Sequence, residues 1–450
     1  MTETRSNEGP KGIPDRINVL LIGGGGREHA LARGIAASPR LSTLYATHTS
    51  NPGIAALAKP VDVPVSIREI YRLEQFCDKH DIGLVVIGPE DPLAEGYADA
   101  LARSSEGGKP ARLIFGPTKA GAKLEADKAY AKQLMRAASI PTAEARVFTD
   151  AEPALEYVRT RMEPPVVKAA GLAKGKGVLI PDTIEQAADD VRSIMVDRAF
   201  GDAGNAVVIE ERLSGPELSV LALTDGRAIM VLPPCQDHKR LGEGDTGPNT
   251  GGMGAFCPSP TADSDVLERV ELDVLVRIVD TLRREGIDYR GVLYAGLMLT
   301  PSGPKVLEFN CRFGDPECQP LLARYRGDLL ELLWATAARR LGDIDAQWDE
   351  RATCCIVMAS AGYPDEPRTG DVIEGVQEAE KLDGVRVDLA GVKRDDADRL
   401  VTAGGRVLGV TALGATIAEA RDRAYEAASK IRFSGSQMRR DIGASVTATA

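Results

Sequence analysis

The sequence has no paired cysteine motif. Its seven cysteines, Cys77, Cys235, Cys257, Cys311, Cys318, Cys354 and Cys355, are odd in number and widely spread. They form no CxxC and have no His-rich segment beside them, so a disulfide framework and a zinc site are disfavoured. No run approaches the ~20 apolar residues that span a bilayer. The opening MTETRSNEGPKG is polar and lacks the apolar core of a secretory leader. Together these absences predict a reduced, soluble, cytoplasmic protein with no membrane partner. Cations are not in excess either: 55 Lys and Arg face 66 Asp and Glu, a formal charge of −11. Binding to nucleic acid rests on clustered cations meeting phosphates and is not expected. A small anionic substrate remains compatible, because a few local donors overcome a weak global field. No heptad or long amphipathic seam demands assembly, so a monomer is expected.

What the chain has instead is glycine, 46 of its 450 residues, against an average near ~7%. No collagen-like period or Gly/Ser linker absorbs them, which places many in ordered loops. The length suggests about three domains at ~100–200 residues each, and 43% hydrophobic residues suffice for substantial cores. Residues 1–16 and the Gly/Ser/Ala/Thr-rich stretch 434–450 read as frayed ends. Residues 17–123 alternate short apolar runs (INVLLI, LYATH, LVVIG, RLIFG) with helical stretches, which implies βαβ units around a parallel sheet. Residues 124–332 carry strand-like runs and two long glycine-rich loops. Residues 333–433 form a smaller mixed α/β unit, whose last helix opens on a capping box of Thr416 and Glu419. The fold class is therefore multidomain, α/β and α+β, and no internal repeat is visible.

INVLLIGGGGREHALA passes from strand to helix through Gly23, Gly24, Gly25 and Gly26. Such a turn exposes backbone N–H groups at a helix N-terminus, a setting suited to phosphate. A dinucleotide fingerprint fails here. The third glycine of GxGxxG would fall on Glu28 or His29, and LYATH ends without the acid that holds a ribose. A nicotinamide-dependent oxidoreductase is thereby demoted, and a smaller phosphate-bearing ligand is preferred over an empty turn. Asn51, Pro52 and Gly53 follow the second strand, and Gly88, Pro89 and Glu90 follow LVVI. In a parallel sheet these loops gather at one edge, although each alone also reads as ordinary turn chemistry. His29 fits a ligand contact or a packing histidine equally well.

PPVVKAAGLAKGKGV sets Lys168 on a strand before a loop holding Gly171, Lys174, Gly175, Lys176 and Gly177. It is not a Walker A sequence. A strand lysine with a glycine loop folding over a triphosphate is one reading, and a basic surface turn is the other. VVIEERLSGPELSV ends a strand at Glu210–Glu211 and opens the next at Glu217. The backbone of 211–213 can hold an adenine edge and Glu217 a ribose, though two solvated acids would look alike. The sharpest pattern is VLEFNCRFGDPECQP. On a strand, period two sets Glu308, Asn310 and Arg312 on one face. A carboxylate and an amide oxygen so spaced suit Mg²⁺ (or Mn²⁺) shared with nucleotide phosphates, and Arg312 can steady the anion formed in phosphoryl transfer. A buried ion-pair network is the bland alternative. QDHKRLGEGDTGPNTGGMGAF brings Asp237 and Lys239 ahead of a loop of Asn249, Thr250, Gly251, Gly252, Met253 and Gly254, which reads as an acceptor site. Asp237, Lys239 and Arg312 are the catalytic candidates. His238, beside two cations, is assigned no catalysis.

Taken together, GGGGREHA at 23–30, GPEDPL at 88–93, PNTGGMGA at 248–255 and RFGDPECQ at 312–319 resemble the glycinamide ribonucleotide synthetase family of ATP-grasp ligases. The likeness runs in order from about residue 17 to 433. One departure is ATHTSNPG, where only Asn51 and Gly53 fit the family's pattern. The resemblance implies a pre-ATP-grasp domain over 17–123, an ATP-grasp domain over 124–332 and a C-terminal domain over 333–433. It also implies ATP-dependent ligation of glycine to 5-phosphoribosylamine through glycyl phosphate, in purine biosynthesis, with another ATP-grasp carboxylate–amine ligase or carboxylase as the alternative. Lys128 and Lys168 would lie near the ATP phosphates, Glu211 and Leu213 at the adenine, Glu217 at the ribose, and the metal on Glu308 and Asn310. Gly24, Gly25, Gly26, Arg27, Glu28, Asn51, Gly53, Pro89 and Glu90 would serve the substrate.

Overall fold

The computed structural model describes residues 12–104, 111–173 and 175–444. Lys174 and the expectations for residues 1–11 and 445–450 lie outside the described residues.

The alternation in the first hundred residues builds a five-stranded sheet of order β3-β2-β1-β4-β5. Its strands are β1 (Ile17–Ile22), β2 (Leu41–Ala46), β3 (Lys59–Pro60), β4 (Ile82–Ile87) and β5 (Leu113–Phe115). All neighbours run parallel. The chain steps outward from β1 through β2 to β3, then returns to β1's other side as β4. That reversal opens a crevice at the carboxyl ends of β1 and β4, where Gly23–Gly26 and Gly88–Glu90 emerge. The helix Leu329–Ala337 covers one face, its Leu329, Leu330, Leu333 and Trp334 packing with Val19, Leu21, Leu84 and Val86. A boundary at 333 therefore cuts a helix that belongs to the first sheet's core.

Two antiparallel sheets follow. One, ordered β6-β9-β7-β8, contains β6 (Ala145–Phe148), β7 (Val166–Ala169), β8 (Val178–Leu179) and β9 (Val207–Glu210). Helices Ala151–Arg159 and Ile184–Met195 back it through Leu155, Val158, Val191 and Ile194. The other, ordered β11-β10-β16-β17, contains β10 (Glu217–Thr224), β11 (Ile229–Val231), β16 (Gly291–Thr300) and β17 (Gly303–Asn310). Helices Lys128–Ala137 and Val276–Arg284 bury Leu134, Met135, Ile278 and Leu282 on it.

The last large sheet, β12-β15-β18-β22-β19, joins distant parts of the chain. β12 (Gln236–Asp237) and β15 (Gly254–Cys257) come from the second glycine loop's flanks. β18 (Ala352–Ala359), β19 (Val385–Leu389) and β22 (Arg406–Gly414) come from the C-terminal part. Two hairpins decorate it, β13 (Arg240–Gly242) with β14 (Thr246–Asn249), and β20 (Val392–Arg394) with β21 (Leu400–Thr402). The helix Ile417–Lys430 lays Ala420, Ala424, Ala427 and Ala428 on this sheet. Thr416 caps it, accepting the Glu419 N–H at 3.2 Å, while the Glu419 carboxylate reaches the Ala415 N–H rather than that of Thr416.

The stretch expected to be frayed from 434 onward is anchored as far as 444. Gln437 exchanges two 2.8 Å backbone bonds with Ala359, and Ile442 is fully buried. Arg439, only 2% exposed, is clamped between Asp245 and Asp441. A small-residue composition masked these three anchors. Among the described residues no helix is long and apolar enough to cross a membrane.

Candidate active site

β7 and β9 hold the first cluster. Lys168 on β7 is buried, and its Nζ donates to Glu210 Oε2 at 3.0 Å and to the Leu307 carbonyl at 3.1 Å. Glu210, the last residue of β9, also lies 3.1 Å from Lys132 Nζ. Burial pushes the Lys132 ammonium down to about 8, against the attraction of Glu210. Lys132 was not anticipated from the sequence, although it stands four residues after Lys128 and so shares its helix face. Lys128 donates from Nζ to the Gly171 carbonyl at 3.0 Å, and from its backbone to Ala170 at 2.8 Å. It thereby ties a helix start to the root of the glycine loop. Gly171 packs where a Cβ would sit 2.7 Å from the Ala203 Cα. Gly175 takes a φ of +76°, the left-handed region that glycine favours. The Gly177 carbonyl accepts the Ala169 N–H at 2.8 Å. Lys176 donates to the Pro364 carbonyl at 3.1 Å, so this loop reaches the C-terminal part of the chain.

Between β9 and β10 the chain crosses in an irregular link that contains half-buried Leu213. Glu211 Oε1 accepts from the Glu144 N–H and from Lys305 Nζ, each at 3.0 Å. Burial raises the Glu211 pKa, but these bonds prevail and hold it below the ordinary carboxylate value. Glu217 opens β10 and accepts from Lys239 Nζ at 3.0 Å.

β17 delivers the second cluster. Burial opposes ionisation of Glu308, yet Lys239, Lys168, Lys128 and Arg312 together hold its pKa below the usual range. Asn310 Oδ1 accepts from Arg312 Nη2 at 3.1 Å. Arg312 also lies 3.2 Å from Glu90 Oε2 and 2.9 Å from Glu125 Oε1. Burial would lower its pKa, but Glu125, Glu90 and Glu317 raise it, and the guanidinium stays charged. Arg312 thus joins the first sheet's crevice to the Glu308–Asn310 pair.

On the same face, opposite Asn310 and Glu308 in the ladder, runs a buried polar chain. Tyr294 Oη donates to Glu317 Oε1 at 2.5 Å and meets Ser219 Oγ at 2.8 Å, and Ser219 reaches Asp237 Oδ1 at 3.4 Å. Burial pushes Asp237 up to about 7, with Glu317, Glu217 and Glu308 adding to the rise and Lys239 opposing it. Burial acts downward on Lys239, but Glu217 and Asp237 hold it charged.

The third cluster closes the crevice of the first sheet. Glu28 turns back on its own helix, accepting the Gly25 N–H and Arg27 Nε, each at 2.6 Å. Arg27 Nη1 reaches the Phe313 carbonyl at 2.9 Å. A Cβ on Gly88 would fall 2.1 Å from Glu28 Oε1, so the loop of Pro89 and Glu90 packs directly on this carboxylate. Asn51 Nδ2 donates to the Gly24 carbonyl at 2.9 Å and to Leu389 at 2.7 Å, while its Oδ1 accepts the Gly53 N–H at 3.0 Å. His29 lies beneath Gly53 and accepts the Leu389 N–H on Nδ1 at 2.9 Å, a packing histidine rather than a ligand contact. His238 is buried too, its pKa pushed down to about 4 by burial and by Arg439.

The second glycine loop folds onto the same edge. Thr250 Oγ1 donates to the Lys239 carbonyl at 2.8 Å and accepts the Gly252 N–H at 3.0 Å. Asn249 pairs with Arg240 in the β13–β14 hairpin. Gly251 donates to Tyr363 Oη at 3.0 Å and accepts from Arg406 Nη1 at 2.5 Å. Arg406 Nη2 pairs with Asp315 Oδ2 at 3.3 Å, and Asp315 accepts from Gln319 at 2.9 Å. Two sequence expectations need correction here. Met253 is fully buried with its N–H on the His238 carbonyl and its carbonyl on the Val357 N–H. Gly254 is buried in the β12–β15–β18 ladder, its carbonyl taken by the His238 N–H. Both Met253 backbone groups and the Gly254 carbonyl are taken by the sheet, which absorbs the end of the motif.

The three clusters set phosphate-sized cationic positions (Lys128, Lys168) beside an oxygen pair (Glu308, Asn310) and a guanidinium. Models of the phosphoribosylglycinamide synthetase N, ATP-grasp (A) and C domains match residues 17–125, 126–318 and 353–445. The chain belongs to the phosphoribosylglycinamide synthetase family. It is 46% identical over 442 residues to the phosphoribosylamine–glycine ligase of Rhodopirellula baltica, covering 97% of this chain and 99% of that one. It is 48% identical to the ligase of that name from Nostoc sp., covering 95% and 99%. The crystal structure of the Thermotoga maritima phosphoribosylamine–glycine ligase superposes with a TM-score of 0.79 at 32% identity, covering 95% of this chain and all of that one. A biotin carboxylase from Campylobacter jejuni shares the fold alone, with a TM-score of 0.68 at 14% identity over 93% and 92% of the two chains.

Within this synthetase fold, several site residues escaped the sequence reading: Lys132, Glu125, Ser219, Tyr294, Lys305, Tyr363 and Arg406. Asp315, Glu317 and Gln319 stood inside the RFGDPECQ motif and were readable as a group, though not individually.

Proposed function

We propose that this chain joins glycine to 5-phosphoribosylamine, with ATP converted to ADP and phosphate. The observation that carries this reading is Arg312, whose guanidinium contacts Asn310 on the nucleotide side and Glu90 on the sugar-phosphate side. One residue from RFGDPECQ thus links the two half-sites that a ligase has to bring together.

Glycine's carboxylate oxygen attacks the γ-phosphorus and ADP leaves, giving glycyl phosphate. The ribosylamine nitrogen then attacks the acyl carbon, phosphate leaves, and the amine gives up a proton. Lys128 and Lys168 offset phosphate charge, and Arg312 steadies the transferred group. Glu211 and the 211–213 backbone hold the adenine, and Glu217 the ribose. Glu210 keeps Lys168 and Lys132 in place. Asp237 and Lys239 orient glycine. Closure of the 171–177 loop excludes water from the acyl phosphate. The Gly24–Gly26 turn, with Arg27, Asn51 and Gly53, serves the 5-phosphate, while Asn249, Thr250, Gly251 and Gly252 line the acceptor.

Among the described residues no group of three or more His, Cys, Asp or Glu side chains is placed to hold a metal alone. Glu308, kept ionised, and Asn310, with one oxygen lone pair beyond its Arg312 bond, fit Mg²⁺, which takes few protein ligands and fills its shell from phosphates and water. When bound there, Mg²⁺ (or Mn²⁺) would neutralise phosphate charge. The same reading makes the enzyme a cytoplasmic monomer with small-molecule partners only.

ADP release with glycine and freshly generated 5-phosphoribosylamine tests the proposal, with glycinamide ribonucleotide identified by mass. Release that continues undiminished without glycine would refute the acyl donor.

A further inference from the structure

We propose that Cys235 and Cys257 form a redox-sensitive dithiol, which small hydroperoxides convert to a disulfide that slows the enzyme. The register places them together. Gln236 faces Phe256 and Asp237 faces Ala255 in the antiparallel β12–β15 ladder, so one further step sets Cys235 opposite Cys257. His238 donates to the Gly254 carbonyl at 2.9 Å, which makes 237/255 a non-hydrogen-bonded pair and 235/257 the next of that kind. Opposed residues in such pairs have Cα atoms about 4.5 Å apart, inside the ~4.4–6.8 Å range of disulfides. The ladder stops there because Pro258 has no N–H, and Ser259 donates to the Pro234 carbonyl instead, at 2.8 Å.

The surroundings distinguish the two sulfurs. Arg324 Nη1 lies 3.2 Å from Cys257 Sγ, and the rest of this buried guanidinium is committed to the Arg351 and Asp349 carbonyls at 2.8 and 2.9 Å. A cation held against sulfur favours the thiolate. Burial raises the Cys257 pKa, but the Cys235 thiol and Arg324 bring it below the ordinary thiol value. The other six cysteines are all pushed up, chiefly by burial. Cys257 is therefore the nucleophile and Cys235 the resolving thiol.

Both sulfurs are buried, and both contact the Pro233 carbonyl, at 3.7 and 3.8 Å. Pro233 also lines a groove of about 460 Å³ shared with Pro234, Leu267 and Trp348. Pro233 thus lies between the buried thiols and that groove, which is the approach we assign to a small oxidant. The Cys257 thiolate attacks a peroxide oxygen, the O–O bond breaks, and the departing oxygen leaves as hydroxide or alkoxide that takes a proton from water. Cys235 then loses its proton and attacks the sulfenic sulfur, expelling hydroxide that leaves as water. Overall two cysteines lose two electrons and the hydroperoxide gains them.

The disulfide deprives Arg324 of its anion at the end of the helix Cys318–Arg324, whose first turn holds Gln319 on Asp315. It also fixes the strand two residues before Asp237.

The test treats the full chain with hydrogen peroxide and maps its unreduced peptides by mass spectrometry. A Cys235–Cys257 peptide lighter by two hydrogens, reversed by dithiothreitol, is expected. Cys235→Ser should keep its untreated activity and, once oxidised, trap a dimedone-reactive sulfenic acid on Cys257. Cross-links or sulfenic labelling confined to other cysteines would overturn the pairing. The activity arm rests on the ligase reading: ADP release should fall with cross-linking and return with dithiothreitol. Full activity in fully cross-linked enzyme would overturn the regulatory part. A cross-link in a chain that never ligates glycine would leave the dithiol standing and remove the ligase assignment.

Discussion

Tyr363 Oη accepts the Gly251 N–H at 3.0 Å, so a side chain of the C-terminal part closes the second glycine loop. The next residue, Pro364, receives Lys176 from the first glycine loop of the nucleotide half. One turn after β18 therefore touches both glycine loops to which the proposed function assigns substrate contacts.

Tyr363→Phe removes the bond to Gly251 while keeping the ring that packs on Gly405. A neutral hydrogen bond contributes about 1 kcal/mol net, so KM for 5-phosphoribosylamine should rise roughly fivefold with kcat little changed. Steady-state kinetics with the amine varied at saturating ATP and glycine checks this. An unchanged KM would show that Gly251 holds its place without the tyrosine.

Glu308→Gln keeps the shape of the β17 side chain and removes its charge. The charge is the feature that three nearby lysines and Arg312 maintain. Loss should exceed the ~10–100-fold typical of residues that merely support a metal ligand, and the Mg²⁺ requirement should shift to higher concentration. Circular dichroism and a Mg²⁺ titration of ADP release separate this from unfolding. Near-normal turnover at limiting Mg²⁺ would remove Glu308 from the metal site.

Gly88→Ala places a methyl where Glu28 Oε1 lies 2.1 Å away. The carboxylate has to move, and it would release the Gly25 N–H and Arg27 together. Overpacking of this kind costs about 1–3 kcal/mol, and the amine substrate should bind more weakly than ATP is affected. Thermal unfolding and the two KM values measure both effects.

These contacts explain which parts of the molecule were readable in advance. The strands around β1 and β4 showed themselves through apolar runs broken by glycine, and Glu308, Asn310 and Arg312 through a period of two. Local patterns have local signatures. Arg406 and Tyr363 had none, because each lies in an unremarkable stretch and gains its meaning from Gly251, more than a hundred residues away. Met253 and Gly254 misled for the same reason: a glycine-rich motif gives no sign that its last residues pair with β18. Arg439 and Ile442 were hidden by the small residues around them.

His29 is 5% exposed, accepts the Leu389 N–H on Nδ1, and has its pKa pushed down from 6.5 to about 3 by burial and by Arg33. Asp388 stands 3.8 Å from that nitrogen, but burial raises its own pKa to about 6, so it offers little negative charge below that pH. Above 6.5 the histidine is neutral in folded and unfolded chains alike, and it adds no pH dependence. As pH falls the unfolded chain takes the proton first, and stability is lost progressively from 6.5 towards 3. At ~1.36 kcal/mol per unit, this amounts to about 2 kcal/mol by pH 5. Asp388 works in the opposite direction between 3.8 and 6, because there the folded state holds the extra proton, so the comparison between variants isolates the histidine. His29→Asn keeps an acceptor near the Leu389 N–H and cannot be protonated. From pH 7 to pH 5 the urea midpoint should therefore fall less, or rise more, in the variant than in the parent, and an identical pH 7-to-5 difference in the two proteins would mean that the acid sensitivity of this domain contact resides elsewhere.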